Sequence, residues 1–488
     1  MTLSVALSNA LSGLTVASRQ ADLVSDNVAN ALTEGYARRS LDVSSASIGG
    51  VGSGARVTGV TRTASPAITE ARRNAEAETG YAAALSEAQT RLADAVGLPG
   101  EPQSLGARAD ALDATLAAAA DTPESLALLD AAAVAAHDYA NKINRIAIEA
   151  NSLRGETDAS IAQQVSILNR NLEQIESLNG QIRAIELAGG DSAALEDERQ
   201  RLIDELSGMI PIRVVRRDAG DVALFARNGA QLLDGRAFEI GFTATPVVTQ
   251  SQTLANGGLS GITLAGIAIE VGDDGGRGLL DGGSLSASFE LRDRVLPEFL
   301  ESLDAMASDL IQRVEGLPED PTLLLGSPGL FTDSGGPFDP LATEGLALRL
   351  DLSERVDPFA GGDPSLLRDG LNALAPGEPG NASVLRGLQD ALTAQSVAPG
   401  ATGFSGDFGA AELAAELAGR TIASSRVADD RSSLTQGRLD GLKDAELAET
   451  GVDTDQELSR LLVVEQMFAA NARVIEVIDS LLARLNQI

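Results

Sequence analysis

The chain has 488 residues, enough for about three domains of ordinary size, and its 44% apolar and 22% charged content is that of a folded protein. The net charge of −33 argues against binding nucleic acid or an anionic membrane surface, since both require clustered cations. With no cysteine and one histidine, the chain cannot form a disulfide, a cysteine-based zinc site or a multi-histidine metal centre.

The first predicted element is an amphipathic helix over residues 3–31. Two interleaved rows of apolar residues recur every seven positions, a spacing typical of coiled coils. The rows consist of Leu3, Ala10, Ala17, Val24 and Ala31, and of Leu7, Leu14, Ala21 and Val28. The helix should end near Asn30, because Gly35 can adopt a left-handed turn. Residues 37–63 predict short strands around a glycine-rich loop.

Residues 66–208 predict a bundle of helices, each with an apolar stripe and a charged face. The expected helices cover 66–97, a stretch opening with Thr122 as N-cap and Pro123 at its first position, then 157–187 and 192–207. The segment LPGEP separates the first two.

From Ile210 the pattern changes to short β-type runs separated by turns, and a helix kinked at Pro297 returns over 283–316. Residues 317–410 are rich in Gly, Pro and Asp, with the strand-like piece LALRLDL. Two further helices are predicted over 410–448 and 455–488. The last helix carries two rows at seven-residue spacing, Leu461, Phe468, Ile475 and Leu482, and Met467, Val474, Leu481 and Ile488.

These patterns predict a mainly α fold with an inserted β region, that is, a multidomain α+β chain in which the middle is nested between terminal helices. The expected domains are a terminal assembly domain (1–65 with 440–488), a helical bundle (66–209 with 283–316 and 410–439), a β-rich outer domain (210–282) and an irregular segment (317–409).

Both ends of the chain resemble bacterial flagellar axial proteins of the rod, hook and hook-associated type. NVANALTEGYARR at 27–39 resembles their N-terminal signature, although Glu34 stands where proline is usual, and 451–485 resembles their C-terminal helix. The long helical region after residue 66 and the segment GGSLSASFELRDRVLPEFLESLDAMA are similar to the hook-associated type found at the hook–filament junction.

The resemblance implies that the terminal helices pair in a coiled-coil-like inner domain after export by the flagellar type III apparatus. The absence of a signal-peptide pattern at the start of the sequence agrees with export without a cleaved signal. The implied location is extracellular, at the hook–filament junction. The implied partners are further copies of the chain in a ring, the hook protein, a second junction protein next to the filament and an export chaperone, with no nucleic acid, membrane or cofactor.

The predicted site is an assembly surface made of the terminal rows and the signature turn. The assembly residues are Leu3, Leu7, Ala10, Leu14, Ala17, Ala21, Val24, Val28, Leu461, Phe468, Val474, Ile475, Leu481, Leu482 and Ile488. The signature turn consists of Asn27, Asn30, Thr33, Gly35 and Tyr36.

Two alternatives stay open at this point. A hook or distal rod protein would share both end signatures, although the long helices at 66–208 speak against it. A secreted adhesin or enzyme could be housed in 210–410 on a flagellar scaffold, but this region shows no catalytic constellation. His137 reads as an ordinary helix histidine, because neither a cysteine nor a second histidine can join it. We therefore expect no enzymatic activity.

Overall fold

The computed structural model describes residues 3–33, 35–48, 51–269, 281–324, 326–397 and 403–485. Among the predicted assembly residues, Ile488 lies outside this part of the chain, as does Glu34 of the signature segment.

The two ends of the chain meet in one terminal unit. Helix α1 (Leu3–Ala29) is followed by an antiparallel hairpin of β1 (Arg39–Ile48) and β2 (Val51–Arg62). The final helix, which is α12 in chain order (Thr454–Leu485), returns to pack on α1. The helix prediction for 3–31 agrees with the structure, whereas the expected short strands are a hairpin of 10- and 12-residue strands.

The helical body contains α2 (Pro66–Val96), α3 (Leu105–Asp121), α4 (Leu126–Leu187), α5 (Ala193–Ser207), α6 (Gly283–Glu290), α7 (Leu296–Val314) and α11 (Ala410–Thr450). Helix α11 lies along α2, and α3 packs on α4. Within the described residues no helix is both long and apolar enough to cross a bilayer.

Helix α4 corrects two predictions. The stretches expected from 122 and over 157–187 are one helix of 62 residues, about 93 Å long at 1.5 Å per residue. Gly155 interrupts the pattern but not the helix, since buried Leu153 and Ile161 anchor the turns on either side. The predicted N-cap at Thr122 and first helical position at Pro123 are wrong: Thr122 follows the last residue of α3, and α4 begins after Ser125.

The kink predicted at Pro297 takes the form of a π-helical turn, Leu291–Val295, between α6 and α7. Proline has no N–H to donate to the carbonyl four residues earlier, so the hydrogen-bond ladder changes register there. This turn places the fully buried Arg292 against Asp158 of α4, with 2.7 Å between guanidinium and carboxylate.

The β region forms two small antiparallel sheets. The first contains β3 (Ile212–Arg216), β4 (Val222–Ala226), β5 (Gln231–Asp234) and β6 (Arg236–Ala237) in that order, and the second contains β7 (Ile240–Gly241), β8 (Ile262–Leu264) and β9 (Ile267–Ile269). Their apolar residues share a core with the second half of α4 and with α5, including Ile175, Leu202 and Leu224.

Residues 317–409 contain short elements. These are β10 (Phe331–Asp333), α8 (Leu346–Arg349), β11 (Leu350–Leu352), α9 (Leu366–Asp369), α10 (Ser383–Thr393), β12 (Ser396–Val397) and β13 (Asp407–Phe408). The strand-like piece LALRLDL is half helical, because Asp304 accepts the backbone N–H groups of Gly345 and Ala347 and so holds a helical turn there. The segment shares the large core of α3, α4 and α7. The boundaries of independently folding domains stay a prediction.

Candidate assembly surface

The terminal helices run antiparallel in a fixed register. Gly13 of α1 lies against Asn471 of α12, and a Cβ atom at Gly13 would come within 2.7 Å of the Asn471 amide. Fourteen residues further along α1, Asn27 lies beside Glu457, fourteen residues back along α12. The missing side chain at Gly13 therefore permits a close helix approach, and the polar contact at Asn27 fixes the other end.

The predicted rows of α1 are largely covered within the chain itself. Ala10, Ala17 and Val24 are buried, and the other five predicted residues of this helix are half-buried: Leu3, Leu7, Leu14, Ala21 and Val28. Helix α12 covers one side of α1 and the hairpin covers another. The alanine-rich helix α1 therefore already has packing partners within the single chain.

The predicted rows of α12 have the opposite environment. Leu461, Phe468 and Leu482 are 38%, 50% and 39% exposed. Val474 and Leu481 are exposed as well, and Ile475 is half-buried. These residues form what we call the α12 stripe, defined as Leu461, Phe468, Val474, Ile475, Leu481 and Leu482. Exposed apolar surface of this extent on one helix is typical of a face that another protein covers.

The row of α12 that faces α1 was missed by the sequence reasoning. Glu457, Val464 and Ile478 are buried, and Asn471 is half-buried at the same seven-residue spacing. Because two of its four residues are polar, this row is a weaker apolar repeat than the other rows of α12. The signal that could have found it is the pairing of Asn471 with a glycine at the matching position of α1.

Asn27 is the hydrogen-bonding centre of the signature turn. It is 1% exposed, and its amide nitrogen donates to the Arg39 carbonyl at 2.9 Å and to Glu457 at 3.2 Å. Its amide oxygen accepts from the Tyr36 hydroxyl at 2.8 Å and from the Arg39 N–H at 3.1 Å. One side chain therefore joins the end of α1, the start of the hairpin and the start of α12.

The other signature residues shape the exposed turn. Asn30 donates to the Asp26 carbonyl at 2.9 Å, and the Thr33 hydroxyl donates to Asn30 at 3.3 Å. Gly35 has a φ of +80°, a conformation that favours glycine. Burial raises the pKa of Tyr36, with the Arg39 guanidinium, 4.8 Å from the ring centroid, acting against it. The predicted set thus divides into a buried hub and a surface turn.

Ion pairs attach the terminal unit to the body. The Asp197 carboxylate on α5 accepts from Arg39 at 2.7 Å and from Arg62 at 2.5 Å, one arginine on each strand of the hairpin. The Arg38 N–H also donates to the Thr450 carbonyl at the end of α11. The sequence did not reveal these contacts, because more than a hundred residues separate the partners.

A second cluster of charges ties α2 to α5 and α11. Arg72 is buried and binds Asp204 at 2.7 Å, Glu76 at 2.6 Å and Glu446. Burial lowers the pKa of Arg72, but the carboxylates of Asp204 and Glu76 outweigh burial and raise it above its usual value. Arg73 also binds Asp204. This cluster is structural, because its charged groups form ion pairs with one another.

Within the described residues, no group of three or more histidine, cysteine, aspartate or glutamate side chains is placed to hold a metal ion. The Nδ1 atom of His137 forms a hydrogen bond with the Asp357 carboxylate at 3.1 Å. The imidazole ring packs on the Phe359 ring, with centroids 4.5 Å apart. These contacts attach α4 to the segment that precedes α9.

Family models match two parts of the chain. Residues 97–329 match the flagellar hook-associated protein FlgK helical domain. Residues 446–488 match the C-terminal region of the flagellar basal body rod FlgEFG proteins. The first match covers most of the helical body and the β region, and the second covers the end of α11 and α12.

Known relatives carry the same family name. Flagellar hook-associated protein 1 of Bacillus subtilis is 23% identical over 366 residues, covering 71% of this chain and 68% of the relative. Its namesake in Salmonella typhimurium is 25% identical over 240 residues, which is 48% of this chain but only 43% of that relative. The solved flagellar hook junction protein FlgK of Burkholderia pseudomallei aligns with a TM-score of 0.41 at 20% identity, over 55% of this chain and 45% of that one.

The helical-domain match, the rod-type C-terminal match and the named relatives agree with the resemblance seen at both ends of the sequence. The curated relatives are named as hook-associated proteins of the flagellum. Together, the two matches and the named relatives support a flagellar hook-associated protein of the FlgK type.

Proposed function

We propose that this protein joins the flagellar hook to the filament, and that it assembles into a ring through its terminal helices after type III export. The observation that carries the proposal is the contrast between the two terminal helices. The residues of the α1 rows are buried or half-buried by the chain itself, whereas five of the six residues of the α12 stripe remain exposed. The stripe has the spacing of a coiled-coil face.

The energetic argument favours copies of the chain as the partner for the stripe. Fully burying a leucine or phenylalanine side chain contributes about 1.5–3 kcal/mol, so covering half-exposed residues adds about 1 kcal/mol each in every copy. The overall charge of −33 opposes contact between copies elsewhere on the surface. Residues 1–45 are almost neutral, with four acidic and three basic residues, so this part of the terminal unit adds little repulsion between copies.

The proposal includes a hook protein on one side of the ring and a second junction protein on the filament side, with a chaperone acting before export. The family membership and the flagellar setting of the relatives support these partners. The rod-type match at the C-terminus is shared with the alternative, a hook or distal rod protein. The helical-domain match supports the hook-associated type over that alternative.

A chromosomal deletion tests the proposal directly. We expect cells without this protein to form hooks that carry no stable filament, with flagellin lost to the medium. Electron microscopy of isolated hooks and an immunoblot of the supernatant measure both outcomes. Normal filaments on the deletion strain would show that the assignment is wrong, and a complete absence of hooks would favour the hook or rod alternative.

A further inference from the structure

A small cavity lies in the helical body, where α3, α4, α10 and α11 meet. Its volume is about 130 Å³, and much of its wall is apolar, with Leu112, Leu392 and Ala410 among the contributors. Five polar side chains also line it, among them Asp113 of α3 and Tyr139 of α4. A mostly apolar cavity with a few polar groups is the usual form of a small-ligand site.

Asp113 and Tyr139 each present an atom without a hydrogen-bond partner among the described residues. Tyr139 is 1% exposed, and its hydroxyl makes no hydrogen bond to any of the described residues. The Oδ1 atom of Asp113 is likewise buried and receives no hydrogen bond from that part of the chain. Burial of such groups is unfavourable unless a bound molecule satisfies them. A hydrogen-bond donor bound in the cavity would satisfy both oxygens.

The lining is also one-sided in charge. Glu412 lies at the start of α11 and lines the cavity together with Asp113, whereas none of the described lining residues is basic. The Glu412 carboxylate accepts from the Gly409 backbone N–H and from the Gln395 amide, and these bonds, the first foremost, hold its pKa below the usual range. The site therefore favours a cation.

We propose that this cavity binds a primary alkylammonium group, supplied either by a free amine or by a lysine side chain of a partner protein. Cavities of about 150 Å³ hold a benzene-sized molecule, so a four-carbon chain is of suitable size for the apolar wall. An ammonium group has three donors and no acceptor. It can therefore serve the unpartnered oxygens of Tyr139 and Asp113 together, which an alcohol with one donor cannot.

The test is a ligand-observed saturation-transfer NMR titration of the full chain with n-butylammonium at about 0.15 M salt, where attraction between distant exposed charges is screened. n-Butanol and butyrate serve as neutral and anionic probes of the same size. We expect a Kd in the millimolar range for butylammonium, since small ligands have few contacts, and binding of the other two at least about tenfold weaker.

Three variants locate the site. Asp113→Asn should weaken butylammonium binding about tenfold and Tyr139→Phe about fivefold, in line with the loss of a charged and a neutral hydrogen bond. Tyr139→Phe should leave the melting temperature of the free protein unchanged or raise it, because it removes an unpartnered hydroxyl. Glu416→Gln is the control: this exposed residue of α11 loses the same charge as Asp113→Asn but lies outside the cavity.

A further pair of probes distinguishes the two sources of the ammonium group. Displacement of butylammonium by N-acetyl-lysine N-methylamide, but not by its Nε-acetylated form, supports a partner's lysine. Binding of butylammonium with exclusion of the capped lysine supports a free amine. The proposal is overturned if butanol binds as tightly as butylammonium, if butylammonium does not bind, or if Asp113→Asn and Tyr139→Phe leave its affinity unchanged.

Discussion

Helices α4 and α12 both carry apolar rows at helical spacing, but their surroundings differ. In α4, Ile161, Leu168 and Ile175 are fully buried against the β region and α5. In α12, Leu461 and Phe468 are exposed, although their spacing is as regular. The comparison shows that periodicity identifies the face of a helix that seeks contact, and that it does not tell whether the same chain or another molecule provides that contact.

The largest effect should come from placing a charge on the exposed stripe. We expect Leu482→Asp to abolish filament attachment while expression and secretion remain near normal. An unpaired carboxylate buried between subunits costs on the order of several kcal/mol, and every copy in the ring would carry it. Filaments counted by electron microscopy, beside an immunoblot of secreted protein, measure the result.

Gln466→Asp is the control for this change, because Gln466 is exposed on the same helix and outside the stripe. Equal numbers of filaments in the Leu482→Asp and Gln466→Asp strains would mean that the stripe is not an assembly surface. Leu14→Asp is a less selective test, since Leu14 is half-buried within the chain. Ser12, although off the apolar rows, is unsuitable as a control: its hydroxyl accepts the Ala55 N–H of the hairpin.

The next prediction compares the same leucine-to-alanine substitution in α4 and in α12. Leu168→Ala should lower the free energy of unfolding of the helical body by about 2–5 kcal/mol, because it leaves a cavity in a packed core. Leu482→Ala should change the stability of the monomer by less than about 1 kcal/mol, since the side chain is already partly in water. Urea denaturation followed by circular dichroism measures both, and similar midpoint shifts for the two variants would contradict the comparison.

Local signals account for what the sequence predicted well. The helix predicted over 66–97 has proline at its first position, and the structure has it over Pro66–Val96 with Gly97 as its C-cap. The continuous α4 was not predicted, because Gly155 weakens the local pattern while packing on either side maintains the helix. Long-range contacts were beyond reach: Arg72 and Glu446 are 374 residues apart, and neither has a local pattern that names its partner.

The candidate assembly surface also has parts that the sequence indicated and parts that it did not. The spacing of the terminal rows predicted an assembly face on each terminal helix, and the family resemblance singled out the turn that contains Asn27. Their role in assembly stays a prediction. The row of α12 that faces α1 depends on Glu457 and Asn471, whose polarity hides it from a search for apolar repeats. Its role becomes visible only when the partner positions, Asn27 and Gly13, are known.

A smaller effect is expected at the hub of the signature turn. Asn27→Ala should destabilise the terminal unit by about 1–3 kcal/mol, because Tyr36, the Arg39 backbone and Glu457 lose their shared partner in a buried place. The matching change Asn30→Ala removes exposed hydrogen bonds and should cost less than about 1 kcal/mol. Hydrogen exchange of the backbone amides of α1 and α12 measures both, and equal protection in the two variants would show that Asn27 is not the hub.

The smallest effect concerns local opening of the unmodified monomer. Each terminal helix lacks the many neighbours of α4, and an isolated helix gains little stability without packing. We therefore expect residues 1–31 and 455–488 to be digested before 66–316 in dilute solution.

Two arginines offer a direct comparison with trypsin, since Arg473 of α12 and Arg170 of α4 are both exposed on helices. Cleavage after Arg473 should be faster, because α12 can leave α1 while α4 cannot leave its core, and mass spectrometry of early digests identifies the sites. Cleavage at equal rates would mean that the α1–α12 pair is as stable as the helical body. Subunits would then assemble through a terminal unit that is already folded, and assembly would not be needed to order the terminal helices.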